Sequence, residues 1–295
     1  MIKAKGLGKR ESRMADVFAE IMKLREGGIP AALATIIGTK GSTPGREAMR
    51  LLVRADGTFV GTVGGGCLEA EVFEAAKEVM RDERTRTLSF RLNEFDTPEN
   101  GLLCGGEVTV FIEPLTVPTL HLFGGGHISR VLSQIASTAG FRVEVYEDRE
   151  AFASEERFPE AAALHLGELG ESAEGVLLGP LSYVVVVTRG HKGDGEVLSG
   201  LAKARGKARY IGMIGSRTKK KILFKKLQQE GVSASWLTQV HSPVGLDIGA
   251  MSHEEICISI LAEMIAERRG KLGESRVLPS MSKSKTGPSP DLKSR

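Results

Sequence analysis

The chain has 295 residues, of which 41% are hydrophobic and 26% are charged. This is the composition of an ordinary globular protein with room for about two domains. Its apolar runs are short and broken by glycine, proline or charge, so no transmembrane helix is predicted. The three cysteines lack paired spacing, and the N-terminal segment lacks a secretory signal. Together these features exclude a disulfide framework and predict a cytoplasmic protein.

The formal net charge of +3 is unevenly distributed along the chain. Residues 1–13 carry five basic side chains and one acidic side chain, and residues 270–295 carry six basic and two acidic ones. The body between them is therefore net acidic. Neither tail interleaves aromatic residues with its cations, so no nucleic-acid partner is expected. Residues 270–295, rich in Ser, Lys and Pro, are predicted to form a disordered basic tail.

Residues 14–115 predict a small N-terminal domain of mixed α/β structure. Helical periodicity alternates there with short apolar strand patterns, and Asp56-Gly57 is a strong hairpin signal. The predicted helices cover 14–26 and 68–80, and the predicted strands cover 31–37, 49–53, 58–60, 87–92 and 107–113. Pro114 and Pro118 mark the end of this domain, because proline interrupts both helices and strand ladders.

Residues 118–269 predict a Rossmann-like domain with a doubly wound parallel sheet. It opens with an apolar strand, the turn Gly124-Gly-Gly126, an amphipathic helix and a second strand that ends at Glu147 and Asp148. This is the order of a dinucleotide-binding unit, in which a pyrophosphate lies at the helix N-terminus and an acid holds a ribose. Ser129 occupies the position of the third small residue. The alternative is a plain strand-to-helix turn with no ligand.

The rest of this domain continues the alternation of strands and helices that a parallel sheet requires. The predicted strands cover 183–187 and 209–211, and the predicted helices cover 196–204, 217–229 and 253–268.

Three polar, glycine-containing loops in the second domain are candidates for ligand binding: 188–194, 212–217 and 241–249. The first two follow predicted strands, and ligands of open α/β sheets bind outside the carboxyl ends of the strands. Their cations suit a phosphate group, and Asp194 is placed to orient His191. The candidate contacts in these loops are Arg189, His191, Asp194, Ser216 and Arg217. Polar turns with surface charges remain the alternative.

Two of the three cysteines lie in glycine-rich turns of the first domain. Cys67 follows Gly65 and Gly66 and precedes a predicted helix, whose positive dipole end favours a thiolate. Cys104 precedes two further glycines. Taken singly, each cysteine is better explained as an inert buried residue, but the occurrence of two in glycine-rich turns of one small domain favours a function for Cys67. Since no two Cys or His residues share zinc-ligand spacing, a dedicated zinc site is not predicted.

Residues 16–269 resemble the XdhC/CoxI family, the accessory proteins of xanthine dehydrogenase-type molybdenum enzymes. The resemblance rests on motifs that occur in one order along the chain: Gly41-Ser-Thr-Pro, Gly64-Gly-Gly-Cys-Leu-Glu, Cys104-Gly-Gly, Leu122-Phe-Gly-Gly-Gly-His, Thr188-Arg-Gly-His-Lys-Gly-Asp, Gly212-Met-Ile-Gly-Ser-Arg and His241-Ser-Pro-Val-Gly-Leu-Asp-Ile-Gly. One departure is Glu147, where such proteins often have Asp.

The resemblance implies a protein that binds molybdenum cofactor (molybdopterin), supports its sulfuration by a cysteine desulfurase and delivers it to a xanthine dehydrogenase-type enzyme. A homo-oligomer is expected. Such a protein is more readily a non-catalytic chaperone than an enzyme. Cys67 would contact the molybdenum of the cofactor, because a thiolate is a soft ligand. The second domain would hold the cofactor or a separate nucleotide.

Two other functions fit the same residues. One is an NAD(P)-dependent oxidoreductase, for which His127 and His191 are the candidate proton donors. The other is a nucleotide-sensing scaffold without turnover. A Rossmann-like fold does not by itself choose among the three.

Overall fold

The structure is a computed structural model, and it describes residues 17–91 and 106–272. In the first part of the chain the elements are α1 (Val17–Glu26), β1 (Ala31–Lys40), β2 (Arg50–Arg54), β3 (Phe59–Gly61), α2 (Gly66–Asp82), β4 (Arg86–Arg91) and β5 (Glu107–Pro114). The second part contains β6 (Thr119–Phe123), α3 (His127–Thr138), β7 (Arg142–Glu147), β8 (Ala163–Leu166), α4 (Leu169–Gly175), β9 (Ser182–Val186), α5 (His191–Lys203), β10 (Tyr210–Met213), α6 (Arg217–Gln229), α7 (Ala234–Leu237), β11 (Val240–His241) and α8 (His253–Arg268).

The first unit is an antiparallel sheet in the order β3-β2-β1-β5-β4, with a helix on each face. α2 buries Leu68, Val72 and Val79 against one face of the sheet. These residues recur at the spacing of one helical face, so burying them together fixes the helix against the sheet. α1 packs Leu24 on the other face, against Leu33 and neighbouring apolar residues.

The second unit is a parallel sheet in the order β11-β10-β9-β6-β7-β8. The chain starts in the middle at β6, moves outward to β8, and then crosses back to build β9, β10 and β11. α3 and α8 cover one face of the sheet, and α4, α5 and α6 cover the other. The predicted doubly wound parallel sheet is confirmed. Its switch of direction lies between β6 and β9, which is where such sheets bind ligands.

A buried carboxylate links the two units. Glu83, which follows α2 and is 6% exposed, accepts hydrogen bonds from Arg268 at 2.7 Å and from Arg209 at 3.0 Å. Thr116 Oγ1, in the connection between the sheets, donates to the same carboxylate at 3.1 Å. Two guanidinium groups compensate the buried negative charge, which would otherwise be costly to remove from water. Glu83 therefore anchors the first unit to the second.

Several predicted element boundaries were wrong. α5 begins at His191 rather than at residue 196, so half of the predicted 188–194 loop is helical. Three glycines, at 190, 193 and 195, explain the error, because glycine is a weak helix former. The strand β8 and the helix α4 were not predicted, since both are short.

Some of the predictions fall outside the described residues. Cys104 lies in the stretch 92–105, and most of the predicted basic tail lies beyond residue 272. In the described ranges, no helix is long and apolar enough to cross a membrane.

Candidate functional site

The turn between β6 and α3 uses its glycines for close backbone contact. Gly124 has φ +110°, and a Cβ there would lie 2.5 Å from the carbonyl oxygen of Val187 at the end of β9. A Cβ on Gly125 would lie 2.5 Å from the carbonyl oxygen of Phe152. Gly126 is different, because a Cβ there would meet no described atom within 4 Å. The turn is thus packed on one side and open at Gly126.

Gly126 is the N-cap of α3, and no side chain among the described residues caps this helix end. The first amide N–H groups of a helix lack partners within the helix and carry the positive end of its dipole. Such an end attracts anions, phosphate in particular. The carboxyl edge of the sheet therefore presents an anion-binding end of α3 beside open space.

Glu147, at the end of β7, holds the glycine turn in place. Its side chain is 1% exposed and accepts from the Gly125 amide at 2.6 Å. The Arg149 guanidinium donates to both carboxylate oxygens, at 2.8 and 2.9 Å, and the Asp148 and Arg149 amides donate at 3.1 Å. Burial would raise the pKa of Glu147, but the hydrogen bonds with Arg149, Asp148 and Gly125 outweigh it and lower the pKa to about 2. A ribose contact by Glu147 would have to displace one of these donors, and it stays a prediction.

Asp148 and Arg189 join the loop after β7 to the loop after β9. The Arg189 guanidinium donates to Asp148 at 2.6 Å, across the glycine turn. The hydrogen bond with Glu147 raises the pKa of Asp148, and burial raises it further. Arg189 is the more exposed partner, with 59% of its side chain accessible. Its cation is thus held near the N-terminus of α3 and remains accessible to solvent.

These groups line a cavity of about 300 Å³, which we call the glycine-turn cavity. It is lined by Gly124, Gly125, Gly126, His127, Ile128, Arg149, Phe152, Val187, Thr188, Arg189, Ile214 and His253. Gly124, Gly126, His127 and Arg189 were candidate site residues from the sequence. The cavity combines a helix N-terminus, two arginines and two histidines, the chemistry of a phosphate-bearing ligand.

His253 was missed by the sequence reasoning. It begins α8, and its ring lies parallel to that of His127, with the ring centroids 6.4 Å apart. Ser252 and Glu255 form a capping box that starts the helix at this point. That S-x-x-E pattern is visible in the sequence, and the predicted helix 253–268 already begins at His253. Its position beside α3 depends on tertiary packing.

The remaining loop residues have other contacts. Asp194 is fully buried, accepts from Thr188 Oγ1 at 2.6 Å and forms an ion pair with Lys219 at 2.5 Å. The expected pairing of Asp194 with His191 is therefore replaced by bonds that fix the loop after β9. His191 is exposed on the first turn of α5.

Ser216 is the N-cap of α6 and Arg217 its first residue, and neither lines the glycine-turn cavity. The Ser216 hydroxyl caps the helix and accepts from the Lys219 amide at 3.1 Å. Arg217 lines a separate concavity of about 540 Å³ with Lys220, Lys221 and Lys225. The structure thus brings only some of the predicted cofactor-binding residues together at the glycine-turn cavity.

The motifs of the first unit meet at a second glycine turn, Gly64–Gly66. All three residues have positive φ, at +121°, +87° and +63°. The Glu69 carboxylate accepts from the Gly65 amide at 3.1 Å and also from the Thr62 hydroxyl. Cys67, half-buried, stands in the first turn of α2 directly after this turn.

The other two motifs of the first unit pack against one another beside this turn. A Cβ on Gly64 would lie 2.8 Å from the Gly45 nitrogen, and one on Gly106 would lie 2.4 Å from the Ser42 oxygen. The Gly41-Ser-Thr-Pro and Gly64-Gly-Gly-Cys motifs therefore meet, together with the glycine that ends Cys104-Gly-Gly. The residues that line the glycine-turn cavity all belong to the second unit, so Cys67 is not among them. Within the described residues, no cluster of three or more His, Cys, Asp or Glu side chains could hold a metal ion.

Comparison with known families covers both units. Residues 120–264 match the XdhC Rossmann domain, and residues 24–91 match the XdhC and CoxI family. This chain belongs to the XdhC and CoxI family. The matched ranges correspond to the parallel sheet and to most of the antiparallel sheet, so the predicted Rossmann-like fold and the family resemblance are both confirmed.

The proteins that this chain resembles in sequence differ in length and in description. The uncharacterized protein YqeB of Escherichia coli (strain K12) is 33% identical over 267 residues, which cover 90% of this chain but 48% of that protein. A protein of Bacillus subtilis (strain 168), described as a probable xanthine dehydrogenase subunit, is 24% identical and covers 81% of this chain and 93% of its own length. The molybdenum cofactor insertion chaperone PaoD of Escherichia coli is 24% identical, covering 85% of this chain and 87% of its own length.

A crystal structure described as a xanthine dehydrogenase from Bacillus halodurans is also similar. It has 24% sequence identity to this chain and a TM-score of 0.48, and the match covers 87% of this chain and 97% of that one.

Proposed function

We propose that this protein binds molybdenum cofactor and acts as an accessory protein that inserts it into a xanthine dehydrogenase-type enzyme. The observation that carries the proposal is the glycine-turn cavity, where the open N-terminus of α3 and Arg189 face one space. Support also comes from two relatives, which are described as a molybdenum cofactor insertion chaperone and a probable xanthine dehydrogenase subunit.

The residues of the cavity fit the phosphate end of the cofactor. Gly126 leaves room beside the uncapped helix end, so the amides of the first turn of α3 can donate to phosphate oxygens. Arg189, which is held by Asp148, supplies a positive charge at the same edge. When bound, the cofactor supplies a molybdenum centre with sulfur ligands. The protein's part is to hold the phosphate, orient the pterin and shield it from water.

Cys67 is the residue that we assign to the metal end of the cofactor. Its side chain lies on the first turn of α2, directly after the Gly64–Gly66 turn, and a cysteine sulfur is a soft ligand that suits molybdenum. Glu69 fixes the backbone in front of it. We further propose that the protein receives sulfur from a cysteine desulfurase for the cofactor, and that it works as a homo-oligomer in the cytoplasm.

A dinucleotide is the less suitable ligand for the same cavity. Its volume of about 300 Å³ is at the lower limit for small-molecule sites, and the Glu147 carboxylate is already occupied by Arg149 and by the glycine turn. A nicotinamide cofactor needs both a longer groove and a free acid for its ribose.

The test is to purify the protein from a host that makes molybdenum cofactor and to measure bound pterin by oxidised-pterin fluorescence and mass spectrometry. We expect pterin in the wild type and at least about tenfold less in Arg189→Ala, since a charge-assisted hydrogen bond is worth roughly 1.5–3 kcal/mol. Lys203→Ala is the matched control, because it removes an exposed cation at the far end of α5.

The outcomes distinguish the binding of the cofactor by the protein from the contact of Cys67 with its metal. Loss of pterin in Cys67→Ser would support the metal contact, and full retention would remove Cys67 from the site while leaving the function intact. A nicotinamide nucleotide in place of pterin would overturn the proposal in favour of an oxidoreductase. An unreacted nucleotide of another kind would instead indicate a sensor.

A further inference from the structure

A larger cavity, of about 810 Å³, lies on the opposite face of the parallel sheet from α3 and borders the first unit. We call it the sheet-face cavity. Gly27, Gly28 and Pro30 of the first unit line one side of it, and the residues 175–182 line another. Residues of β6 and β7 form its floor, and the short helix α4 (Leu169–Gly175) borders it.

The floor of this cavity is polar where a doubly wound sheet is normally apolar. His121 on β6, Glu144 and Tyr146 on β7 and His165 on β8 all line it. The Tyr146 hydroxyl donates to Glu144 at 3.0 Å and lies 3.2 Å from His121 Nδ1. His165 Nε2 lies 3.4 Å from the same Glu144 oxygen. A connected group of this kind is costly to bury, and the glycine-turn cavity makes no use of it.

The charges of this cluster cancel. Among the described residues of the lining, Arg142 and Glu144 carry the full charges, and they lie 3.3 Å apart. Burial, partly opposed by the Glu144 charge, lowers the pKa of His121 to about 4, so the ring is neutral at physiological pH. Burial and then the Glu144 charge raise the pKa of Tyr146, which keeps its proton. A charged ligand would therefore bring a charge that no opposite charge in this site is left to balance. An uncharged ligand avoids that cost.

The shape of the lining indicates a flat ligand. The rings of Phe123, Tyr146 and His165 form a stack across three strands, with centroid spacings of 4.5 and 4.4 Å and interplanar angles of 12°. His165 ends this stack at the edge strand of the sheet, and 42% of its side chain is exposed. Apolar residues form the wall contributed by the loop before β9, namely Val176, Leu177, Leu178, Pro180 and Leu181. An apolar wall with a few convergent polar groups is typical of small-molecule sites.

We propose that the sheet-face cavity is a second ligand site, which takes an uncharged flat nitrogen heterocycle of purine or pterin size through the Tyr146–Glu144–His165 group. Ring N–H donors and ring nitrogen acceptors match a carboxylate, a hydroxyl and two imidazoles. The inference is separate from the proposed function, because its residues lie outside the glycine-turn cavity.

Calorimetric titration of the full chain with adenosine and with 6-hydroxymethylpterin tests the proposal, using protein from a host that makes no molybdenum cofactor. We expect one of the two to bind, which identifies the ring system, and Tyr146→Phe to weaken that binding at least about tenfold. Tyr183→Phe is the matched control. It removes a hydroxyl from strand β9 of the same sheet, one that has no hydrogen-bond partner in the described structure and lies outside this cavity.

Arg189→Ala, in the glycine-turn cavity, is expected to leave this binding unchanged. If Tyr146→Phe lowers the thermal unfolding temperature markedly, Glu144→Gln replaces it in the same comparison. Dissociation constants weaker than about 1 mM for both probes would overturn the proposal. So would binding that survives both Tyr146→Phe and Glu144→Gln but is lost in Arg189→Ala, since the ligand would then lie at the glycine turn.

Discussion

The two glycine turns of this protein, Gly64–Gly66 and Gly124–Gly126, both precede a helix but use their glycines differently. In each, a carboxylate accepts from the middle glycine amide, Glu69 at 3.1 Å and Glu147 at 2.6 Å, and a helix follows. In the first turn all three glycines have positive φ, whereas in the second only Gly124 does. Positive φ is thus required along the whole first triplet, whereas the second combines one positive φ at Gly124 with close backbone approach at Gly124 and Gly125. A glycine motif by itself does not reveal which role applies.

The largest expected effect is on stability at the first turn. Gly64→Ala forces a side chain onto φ +121° and brings Cβ to 2.8 Å from the Gly45 nitrogen, so we expect a loss of about 3 kcal/mol or more. Gly126→Ala has ordinary φ and open space and should lose about 1 kcal/mol or less. Urea unfolding of both variants measures the difference. Equal midpoints would show that the two turns do not differ as described.

The second-largest expected effect is the loss of stability when the carboxylates that hold the two turns, Glu147 and Glu69, are replaced. Glu147→Gln removes the charge that Arg149 and the Gly125 amide require, in a site that is 1% exposed, and should cost about 1–3 kcal/mol. Glu69→Gln, on the partly exposed α2, retains an acceptor oxygen and should cost about 1 kcal/mol or less. Thermal unfolding of the two variants compares them, and a larger loss for Glu69→Gln would reverse the assigned order.

The stability of the protein should depend on pH in two ranges, one set by Glu147 and the other by His121. The folded pKa of Glu147, about 2, lies below its ordinary 4.5, so its contribution is present above pH 4.5 and is lost as the pH falls towards 2. The folded pKa of His121, about 4, lies below 6.5, so the unfolded chain takes up a proton first and stability falls between pH 6.5 and 4. Glu147→Gln should remove the change of stability with pH between 4.5 and 2 alone. His121→Gln should remove the change between pH 6.5 and 4 alone. Chemical unfolding at stepped pH measures both, and an unchanged slope in either variant contradicts that assignment.

The smallest stability effect is expected at the rim of the second turn. Arg189 is 59% exposed, so losing its pair with Asp148 in Arg189→Ala should change stability by less than about 1 kcal/mol. The same variant is expected to lose bound pterin, which separates a ligand contact from a structural role. A large fall in unfolding temperature would make its pterin loss uninformative about direct binding and would favour a structural role.

Much of the fold could be predicted because its signals are local. The helices at 217–229 and 253–268 were predicted with the observed bounds, since each follows a serine cap and carries apolar residues at helical spacing. Other elements lacked such signals. β8 has no buried residue, α4 has seven residues, and the glycines that begin α5 disguise a helix. Sites followed the same rule. Of the residues that line the glycine-turn cavity, Gly124 and Arg189 were named as candidates from adjacent motifs, whereas His253 was not.

The sequence by itself determined the family, the order of most strands and helices, and the glycine turn with its adjoining acid, because each of these depends on residues that are neighbours in the chain. Only the tertiary structure decided that Glu147 faces the glycine turn, that Asp194 binds Thr188 and Lys219 instead of His191, and that Glu144 meets both His121 and His165. Those contacts join separate strands and loops. They form only when parallel strands align side by side, which brings together residues that are far apart in the chain.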